Sequence, residues 1–363
     1  MKKISKWHEN KIVGKPTKGC QLCSLGAKLV LFVTGECHSN CFYCPIMKER
    51  RQDITFANEQ QITTVNQAIA EAEIMSALGA GITGGDPAVT LERVNEYISG
   101  FKKHFGEDFH CHLYTSHSLS SNQMKILLSS GLDEIRFHPP RLILSEKIKE
   151  SLKIAKSFDW GVGIEIPVIP DQRQKIIEII NFAIDINLDF VNLNELEITD
   201  ANVEILAKMN YIAKDSVSAA VKGSKELAMD ILQKFKKSPI SIHYCSSRYK
   251  DKTQLKNRLV RRAKNYSKHF DDITEDGLIV RAKIVVDNIN SINLIIKSLN
   301  SEYGFREEDY DIDEKTNTIF LNWLDAKRIG RELKTKFAEV ISSIEIIHQY
   351  PYPEGIITYL EPL

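Results

Sequence analysis

The stretch "KLVLFVTGECHSNCFYC", Lys28 to Cys44, joins a short apolar run to three of the seven cysteines in the chain. Because the apolar run is unbroken, it predicts a buried strand. Cys37, Cys41 and Cys44 follow this strand at once, so they are expected at its carboxyl end. The stretch therefore predicts a sheet that carries three soft ligands on one loop at its edge.

Apolar runs and amphipathic segments alternate through the first two thirds of the chain. The next helix is expected to begin after Thr63 or Thr64 and to stop before Gly79. Further strands are expected in the segments GITGG, FHCHLYTS, DEIRFHP, GVGIEIPVIP, FVNLNELEI and SIHYC. About seven strands alternating with helices predict an α/β fold, a full or partial barrel over residues 28–247 with its active site at the carboxyl rim.

The pattern changes after about Asp271, where strand, helix, hairpin, helix and hairpin follow one another. This order predicts a small α+β domain of the βαββαβ, ferredoxin-like type over residues 272–363. Residues 248–271 are expected to form a basic linker helix. Residues 1–27 form an N-terminal segment that carries a second pair of cysteines.

The composition is that of a globular protein, with 363 residues of which 43% are hydrophobic and 26% are charged. Lysine plus arginine equals aspartate plus glutamate at 48 each, so overall charge indicates no class of partner. No stretch approaches the roughly 18 apolar residues of a membrane span, so we expect a soluble, cytoplasmic protein without a membrane partner. In that reducing compartment, clustered cysteines predict metal binding or redox chemistry rather than disulfides.

The three clustered cysteines suit an iron–sulfur cluster. Three thiolates can bind three corners of a cubane and leave the fourth iron open for chemistry, whereas a structural zinc site takes four protein ligands. The alternative is a zinc knuckle completed by His38 or by a distant cysteine. That alternative would make the chain a non-catalytic, zinc-containing nucleic-acid-binding protein.

Two motifs carry a resemblance to a known family. Cys37-x3-Cys41-x2-Cys44, with Tyr43 before the last cysteine, resembles the signature of the radical S-adenosylmethionine (SAM) enzymes. The element "TGGDP", which includes Gly84, Gly85, Asp86 and Pro87, is similar to the family's Gly-Gly-Glu-Pro element, which contacts the methionine amino group of SAM. Here the shorter Asp86 replaces the glutamate. Alone, the glycine pair would indicate only a tight turn.

The resemblance covers roughly residues 28–246 and is similar in outline to the activating enzymes of the pyruvate formate-lyase type. It implies a [4Fe-4S] cluster on the three cysteines and SAM on the open iron. It also implies an external one-electron reductant such as ferredoxin or flavodoxin. Reductive cleavage of SAM would give methionine and a 5′-deoxyadenosyl radical that abstracts a hydrogen atom from the substrate.

Other polar residues near strand ends are candidates for binding. The resemblance loosely implies that Ser116, His138 and Glu165 contact the ribose or adenine of SAM, with ordinary polar capping of strands as the alternative. In "NLNELEI", polar side chains inside a barrel are costly unless they are paired or bind something. The candidates for substrate contact there are Asn192, Asn194 and Glu195 or Glu197, unless some of them face helices or solvent. His110 and His112 are interpreted as core groups.

A second cysteine pair, Cys20-x2-Cys23, has metal or redox spacing. His243 and Cys245 share one strand face and could complete a zinc site or a second cluster. Strand geometry separates the two pairs by roughly 20 Å, unless the N-terminal segment folds across the rim. The alternative is a set of free or redox-active thiols.

Three substrate classes compete: an RNA base, a protein side chain and a small molecule. The stretch "RYKDKTQLKNRLVRRAK" holds eight basic residues and one acidic residue in seventeen. As a helix it would bury Leu255, Leu259 and Ala263, and it would expose Arg258, Arg261 and Lys264 beside the rim. This basic stripe favours RNA modification, of tRNA, over activation or side-chain modification of a partner protein. A solvated linker helix is the alternative to RNA binding.

Overall fold

The computed structural model describes residues 4–7, 10–216, 218–353 and 355–363. The chain divides into two compact units, residues 1–255 and residues 256–363. Each unit has its own hydrophobic core. In the described part of the chain, no helix is both long and apolar enough to cross a membrane.

The first unit is built on a sheet of eleven strands. These are β1 Ile4–Trp7, β2 Asn10–Val13, β3 Lys28–Phe32, β4 Thr55–Ala57, β5 Gln60–Ile62, β6 Gly79–Thr83, β7 His110–Thr115, β8 Glu134–Phe137, β9 Gly161–Val168, β10 Phe190–Glu195 and β11 Ser241–Cys245. Their order is β1-β2-β11-β10-β9-β8-β7-β6-β3-β4-β5. The predicted α/β fold with a parallel sheet is confirmed, and the strand order is consistent with a partial barrel.

The parallel part of the sheet runs from β11 to β3, and antiparallel hairpins extend both of its edges. At one edge β4 pairs with β3 and β5 pairs with β4. At the other edge β2 pairs with β11 and β1 pairs with β2. Because the central strands are parallel, their carboxyl ends lie along one edge of the sheet.

Helices connect the strands. They are α1 Lys18–Ser24, α2 Val65–Ile74, α3 Leu91–Phe105, α4 Ser121–Ser129, α5 Glu146–Ala155, α6 Arg173–Asp185, α7 Val203–Lys208, α8 Ser224–Lys234 and α9 Ser247–Tyr249. Thr64 is the N-cap of α2 and forms a capping box with Gln67. On α3, Val94, Ile98 and Phe101 are buried at helical spacing, so this face packs on the core.

The N-terminal segment enters the fold in a way that the sequence does not predict. Helix α1 contacts β3, β6 and β7. A Cβ atom on Gly19 of α1 would lie 2.5 Å from a guanidinium nitrogen of Arg136 and 2.9 Å from Nδ1 of His112. Helix α1 therefore lies on the sheet face from which these polar side chains project, and glycine permits the close approach.

The second unit contains an antiparallel sheet and three helices. Its strands are β12 Asp272–Ile273, β13 Ile279–Val286, β14 Tyr310–Asp313, β15 Thr318–Leu321, β16 Ile341–Gln349 and β17 Ile357–Pro362. Its helices are α10 Lys256–Tyr266, α11 Ile289–Tyr303 and α12 Trp323–Lys336. The main strand order is β14-β15-β13-β16-β17, and β12 pairs with β13.

Candidate active site

The loop after β3 carries the three clustered cysteines. We call residues 33–47 the cysteine loop; it has no helix or strand of its own. Cys37 is exposed, Cys41 and Cys44 are half-buried, and all three thiols are free. The backbone N–H of Cys44 donates to the carbonyl of Cys41 at 3.1 Å, which forms a turn. Three available thiols thus lie on one irregular loop at the carboxyl edge of the sheet.

The glycine pair after β6 packs directly against the cysteine loop. The N–H of Gly85 donates to the carbonyl of Thr34, and the N–H of Asp86 donates to that of Glu36, both at 2.8 Å. A Cβ atom on Gly84 would lie 2.2 Å from the Thr34 oxygen, and one on Gly85 would lie 2.3 Å from the Glu36 oxygen. Any larger residue would push the two loops apart, which is the physical reason for glycine here.

Asp86 is buried, with 1% of its surface exposed, and its carboxylate accepts five hydrogen bonds. Three come from side chains: Thr115 Oγ1 at 2.9 Å, Ser116 Oγ at 2.5 Å and His117 Nδ1 at 2.8 Å. Two come from backbone N–H groups: Ser116 at 2.6 Å and Ala88 at 2.9 Å. Burial works to raise the pKa of Asp86, but the bonds from His117 and Ser116 outweigh it and lower the pKa.

The turn after β7 also contacts the cysteine loop directly. Ser39 Oγ lies 3.1 Å from Ser116 Oγ, and His38 Nδ1 lies 3.1 Å from His117 Nε2. The N–H of Ser39 donates to the sulfur of Cys37 at 3.3 Å. Two side-chain pairs therefore connect the residues next to Cys37 with the end of β7.

Tyr43 anchors the other end of the loop. Its hydroxyl lies 3.0 Å from His138 Nε2 and accepts the backbone N–H of Arg141 at 2.9 Å. Its carbonyl accepts from Asn202 at 3.2 Å. His138 Nδ1 lies 3.0 Å from the carbonyl oxygen of Glu165. Tyr43 thus holds the loop to the segments that follow β8 and β10, and His138 extends this connection to β9. Both residues are candidates for SAM contact.

A polar network occupies the sheet face that α1 covers. The Glu165 carboxylate accepts from Arg136, Asn192 and Asn194, each at 2.9 Å. Burial works to raise the pKa of Glu165, but Arg136 and the two amides outweigh it and lower the pKa. Arg136 also forms an ion pair with Glu134 at 2.5 Å. Glu165 is therefore held ionised in the interior.

Two carboxylates of the predicted substrate group lie apart from this network. Glu195 Oε2 accepts the backbone N–H of Ser247 at 2.9 Å. Glu197 pairs with Lys250 at 2.8 Å. Side chains alternate along a strand, so Asn192 and Asn194 face Glu165 while Glu195 projects to the other side. Of the residues predicted to contact substrate on this strand, the structure thus brings Asn192 and Asn194 together with Glu165 and places the carboxylates of Glu195 and Glu197 elsewhere.

The second cysteine pair lies against the middle of the sheet. The Cys20 sulfur accepts from Asn192 Nδ2 at 3.5 Å, and Asn192 is the register partner of His243. The expected separation from Cys245 assumes that the pair lies near the start of β3, whereas α1 contacts β3, β6 and β7. Burial raises the pKa of Cys245, with a smaller contribution from the nearby Cys20. Burial also raises the pKa of Cys23, to about 11.

The described residues do not form a site that could bind a single metal ion. Within residues 4–7, 10–216, 218–353 and 355–363, no group of three or more His, Cys, Asp or Glu side chains is placed to hold one. This arrangement does not favour zinc at Cys20, Cys23, His243 and Cys245. A cubane differs, because each cysteine binds a different iron and the sulfurs need not meet at one point. The three free thiols of the cysteine loop are the side chains that would hold a [4Fe-4S] cluster.

The basic stretch is less exposed than predicted. It is helical across Ser247–Tyr266, with a π-helical turn at Lys250–Leu255. Leu259 and Ala263 are buried as expected and Lys264 is exposed, but Arg258 and Arg261 are half-buried rather than exposed. Burial lowers the pKa of Arg261. Arg258, Arg261 and Lys264 belong to the second unit, whereas the first part of the basic stretch, up to Leu255, belongs to the first unit.

The sequence reasoning missed several residues of the site. Arg136 is the central one, and it lies in "DEIRFHP", where Glu134, Arg136 and His138 recur at every second position. Charged residues with this period inside an apolar strand indicate an interior network, so the signal was available. His117 lies one residue beyond Ser116, and nothing in the spacing links it to His38 in the cysteine loop.

No family model matches the chain. A Methanocaldococcus jannaschii protein, provisionally named a glycyl-radical enzyme activating enzyme, is 37% identical over 365 residues, covering 98% of this chain and 95% of the relative. Among solved structures, Streptococcus suis SuiB bound to S-adenosylmethionine is 11% identical, with a TM-score of 0.42 over 61% of this chain and 50% of SuiB. Methylornithine synthase (PylB) is 10% identical, with a TM-score of 0.41 over 62% of this chain and 72% of PylB.

The long match to the Methanocaldococcus jannaschii relative shows the family: the chain belongs to the radical S-adenosylmethionine enzymes. The resemblance drawn from the two sequence motifs is confirmed. The chain is accordingly an enzyme of the class that uses S-adenosylmethionine and a [4Fe-4S] cluster.

Proposed function

We propose that the chain is an activating enzyme that forms a radical on a glycine residue of a partner protein. The observation that carries the proposal is the 37% identity, over 98% of the chain, to a relative with that provisional name. This places protein activation ahead of RNA modification, the first hypothesis from the sequence. The curated relative is named for protein activation rather than RNA modification, and two of the three basic residues behind the RNA hypothesis are half-buried.

The cluster and SAM, when bound, would supply reductive cleavage of the sulfonium bond. One electron from a ferredoxin or flavodoxin, one SAM and one glycine Cα–H group would give methionine, 5′-deoxyadenosine and a glycyl radical. The hydrogen atom of the glycine leaves with 5′-deoxyadenosine. The bonds broken and formed therefore balance without a further reactant.

The residues of the chain hold and orient the reactants. Cys37, Cys41 and Cys44 would hold the cluster, and the cofactor's own chemistry leaves orientation and exclusion of water to the protein. Asn194 and Glu165 belong to the interior network, and Asn194 lies closer to the carboxyl ends of the strands. Asn194 is half-buried, and its Nδ2 donates to Glu165, so the role proposed for its side chain is a hydrogen bond from the remaining N–H or to the carbonyl oxygen with the backbone of an extended peptide.

Exposed apolar side chains beside the cysteine loop support a protein substrate. The segment after β10 holds the loop through Asn202 and through Tyr211, whose ring stacks on that of Phe42 at 6.4 Å. The same segment exposes Val203, Ile205, Met209 and Ile212. These exposed apolar residues lie within one short segment, which favours a protein surface as the partner, whereas surfaces that bind nucleic acids are mainly basic.

The test measures transfer of a hydrogen isotope from the glycine Cα of the substrate protein to 5′-deoxyadenosine. Source cells are grown on glycine deuterated at Cα, and an extract is prepared from them. The extract is incubated anaerobically with cluster-loaded protein, reductant and SAM, and the 5′-deoxyadenosine that forms is analysed by mass spectrometry. We expect deuterium in 5′-deoxyadenosine together with a protein-bound organic radical in electron paramagnetic resonance. The Cys41→Ala variant is the control without a cluster.

Two further variants separate substrate docking from chemistry. Ile205→Asp and Ile212→Asp should lower deuterium transfer while uncoupled SAM cleavage stays unchanged, because neither residue contacts the cysteine loop in the described hydrogen-bond network. If deuterium instead came from labelled RNA, or if extract proteins gave no radical, the activase proposal would fail.

A further inference from the structure

A carboxylate-centred network joins the glycine element, the end of β7 and the cysteine loop. It has two layers. In the first, Asp86 accepts hydrogen bonds from Thr115, Ser116, His117 and Ala88. In the second, His117 and Ser116 contact His38 and Ser39.

The first layer uses the full capacity of the carboxylate. An ionised carboxylate has about four lone-pair sites on its two oxygens. Oδ1 of Asp86 accepts from Ala88 N and Thr115 Oγ1, and Oδ2 accepts from Ser116 N, Ser116 Oγ and His117 Nδ1. No acceptor site is left for the amino group of a ligand. The side chain is also buried, so a ligand would have to displace a partner within the protein.

The second layer connects Asp86 to the cysteine loop through Ser116 and His117. Ser116 Oγ donates its only hydrogen to Asp86, so Ser39 Oγ must donate in the Ser39–Ser116 contact. His117 Nδ1 bonds Asp86, which fixes the ring so that its Nε2 faces His38. His38 and Ser39 both lie between Cys37 and Cys41. The position of Asp86 thus sets the position of the segment that carries two cluster ligands.

We propose that Asp86 is a positioning residue that fixes the cysteine loop through Ser116–Ser39 and His117–His38, and that it does not contact SAM. This differs from the role that the resemblance implies for the corresponding glutamate. The shorter aspartate keeps its oxygens at the turn after β7, where a glutamate would extend one methylene further. The proposal concerns cluster binding and is independent of the substrate.

The test uses Asp86→Asn and Asp86→Glu. Both should lose iron to a chelator about ten- to a hundredfold faster than the parent, the range expected for charge-assisted hydrogen bonds. The loaded fraction should bind SAM within about threefold of the parent by calorimetry. Hydrogen exchange of the cluster-free protein should rise across residues 36–44, which reports on the loop without requiring activity.

Asp133→Asn is the matched control. Its carboxylate accepts from the N–H of Cys111 at 2.7 Å and pairs with Lys102 at 2.9 Å, at the amino end of the same strand, β7. It should destabilise β7 without faster exchange in residues 36–44. Ser39→Ala leaves Asp86 intact and removes one connection, so a smaller increase in iron loss is expected even if Asp86 variants fold poorly.

The outcomes separate the two roles. A glutamate variant with normal iron retention, or an asparagine variant that keeps its cluster but binds SAM tenfold or more weakly, would overturn the proposal. Unchanged iron loss in Asp86→Asn and in Ser39→Ala would overturn it as well. Faster loss of iron in Asp86→Asn and in Ser39→Ala, with normal SAM affinity in the protein that remains loaded, supports the positioning role of Asp86.

Discussion

The chain has two groups of closely spaced cysteines, and they lie in different parts of the fold. Cys37, Cys41 and Cys44 lie on an irregular loop at the carboxyl edge of the sheet, exposed or half-buried. Cys20 and Cys23 lie on α1, against the polar face of the sheet. The sulfur of Cys20 accepts hydrogen bonds from Asn192 and Arg136, at 3.5 and 3.6 Å.

The difference shows that spacing alone does not define a metal site. A thiol becomes a ligand as the thiolate, and burial raises thiol pKa values and disfavours that form. Burial raises the pKa values of Cys20 and Cys23, and it also raises that of Cys37, so the pKa does not separate the two groups. The groups differ in position instead, because the cysteine loop is irregular and lies at the carboxyl edge of the sheet, where an iron–sulfur cluster can reach its thiols.

The largest expected effect comes from removing a thiol of the cysteine loop. Cys37→Ala, Cys41→Ala and Cys44→Ala should each abolish the [4Fe-4S] cluster, since a cubane held at two corners is not retained. Cys23→Ala should keep it. Iron and sulfide analysis of anaerobically reconstituted protein, with the visible spectrum, measures the difference. Equal iron content in Cys41→Ala and Cys23→Ala would remove the distinction between the two groups.

The next effect concerns the interior network. Arg136→Met should destabilise the protein by roughly 3–5 kcal/mol, because it removes the arginine that balances the charges of Glu134 and Glu165 in the interior. Arg136 has only 3% of its side chain exposed. The control is Arg173→Met, which breaks the exposed pair with Asp230 and should cost at most about 1 kcal/mol. Denaturant unfolding of the cluster-free proteins gives both values. Similar values would show that the interior pair adds no stability.

Gly85→Ala tests the close contact at the carboxyl edge. The added Cβ would lie 2.3 Å from the Glu36 oxygen and 2.4 Å from the Gly35 oxygen, so the cysteine loop must move. We expect about 1–3 kcal/mol of destabilisation and weaker cluster retention. Gly330→Ala on α12, where the nearest atom is 3.6 Å away, should be neutral or stabilising by roughly 0.5–1 kcal/mol. A Gly85 variant with normal iron content would contradict the proposed tight packing.

The smallest effect is expected from Cys20→Ala. A thiol is a weak acceptor, so losing its bonds to Asn192 and Arg136 should cost about 1 kcal/mol. A triple alanine variant at Cys37, Cys41 and Cys44 should then contain no zinc or iron. Residual metal in the triple variant that disappears on adding Cys20→Ala would restore a second metal site at Cys20, Cys23, His243 and Cys245.

Much of the parallel sheet could be predicted from the sequence because its strands are apolar runs bounded by turn residues. Lys28–Phe32 and Phe190–Glu195 lie inside the predicted segments. The edge hairpins were missed because strands such as Thr55–Ala57 and Gln60–Ile62 are three residues long and only partly apolar. Helix α1 was missed because it has seven residues and lies on a polar face, where no hydrophobic period marks it.

The cysteine loop was predictable as a unit, because its ligands are adjacent in sequence. The residues that hold the loop in place could not be predicted from the sequence. Asp86, His117 and His38 lie far apart along the chain, and only folding brings them within hydrogen-bonding distance. The exposure of Arg258 and Arg261 was also mispredicted, because helical periodicity does not show which other elements pack against a helix.

The measurement that tests the central claim most directly is reductive cleavage of SAM by the parent, Cys41→Ala and Cys23→Ala proteins. Each is reconstituted anaerobically with iron and sulfide, then incubated with SAM and a chemical reductant, and 5′-deoxyadenosine is quantified by chromatography. With the cysteine loop as the reaction centre, the parent and Cys23→Ala form 5′-deoxyadenosine and Cys41→Ala forms none. Product from Cys41→Ala at the parent level, or loss of product only in Cys23→Ala, would contradict this assignment.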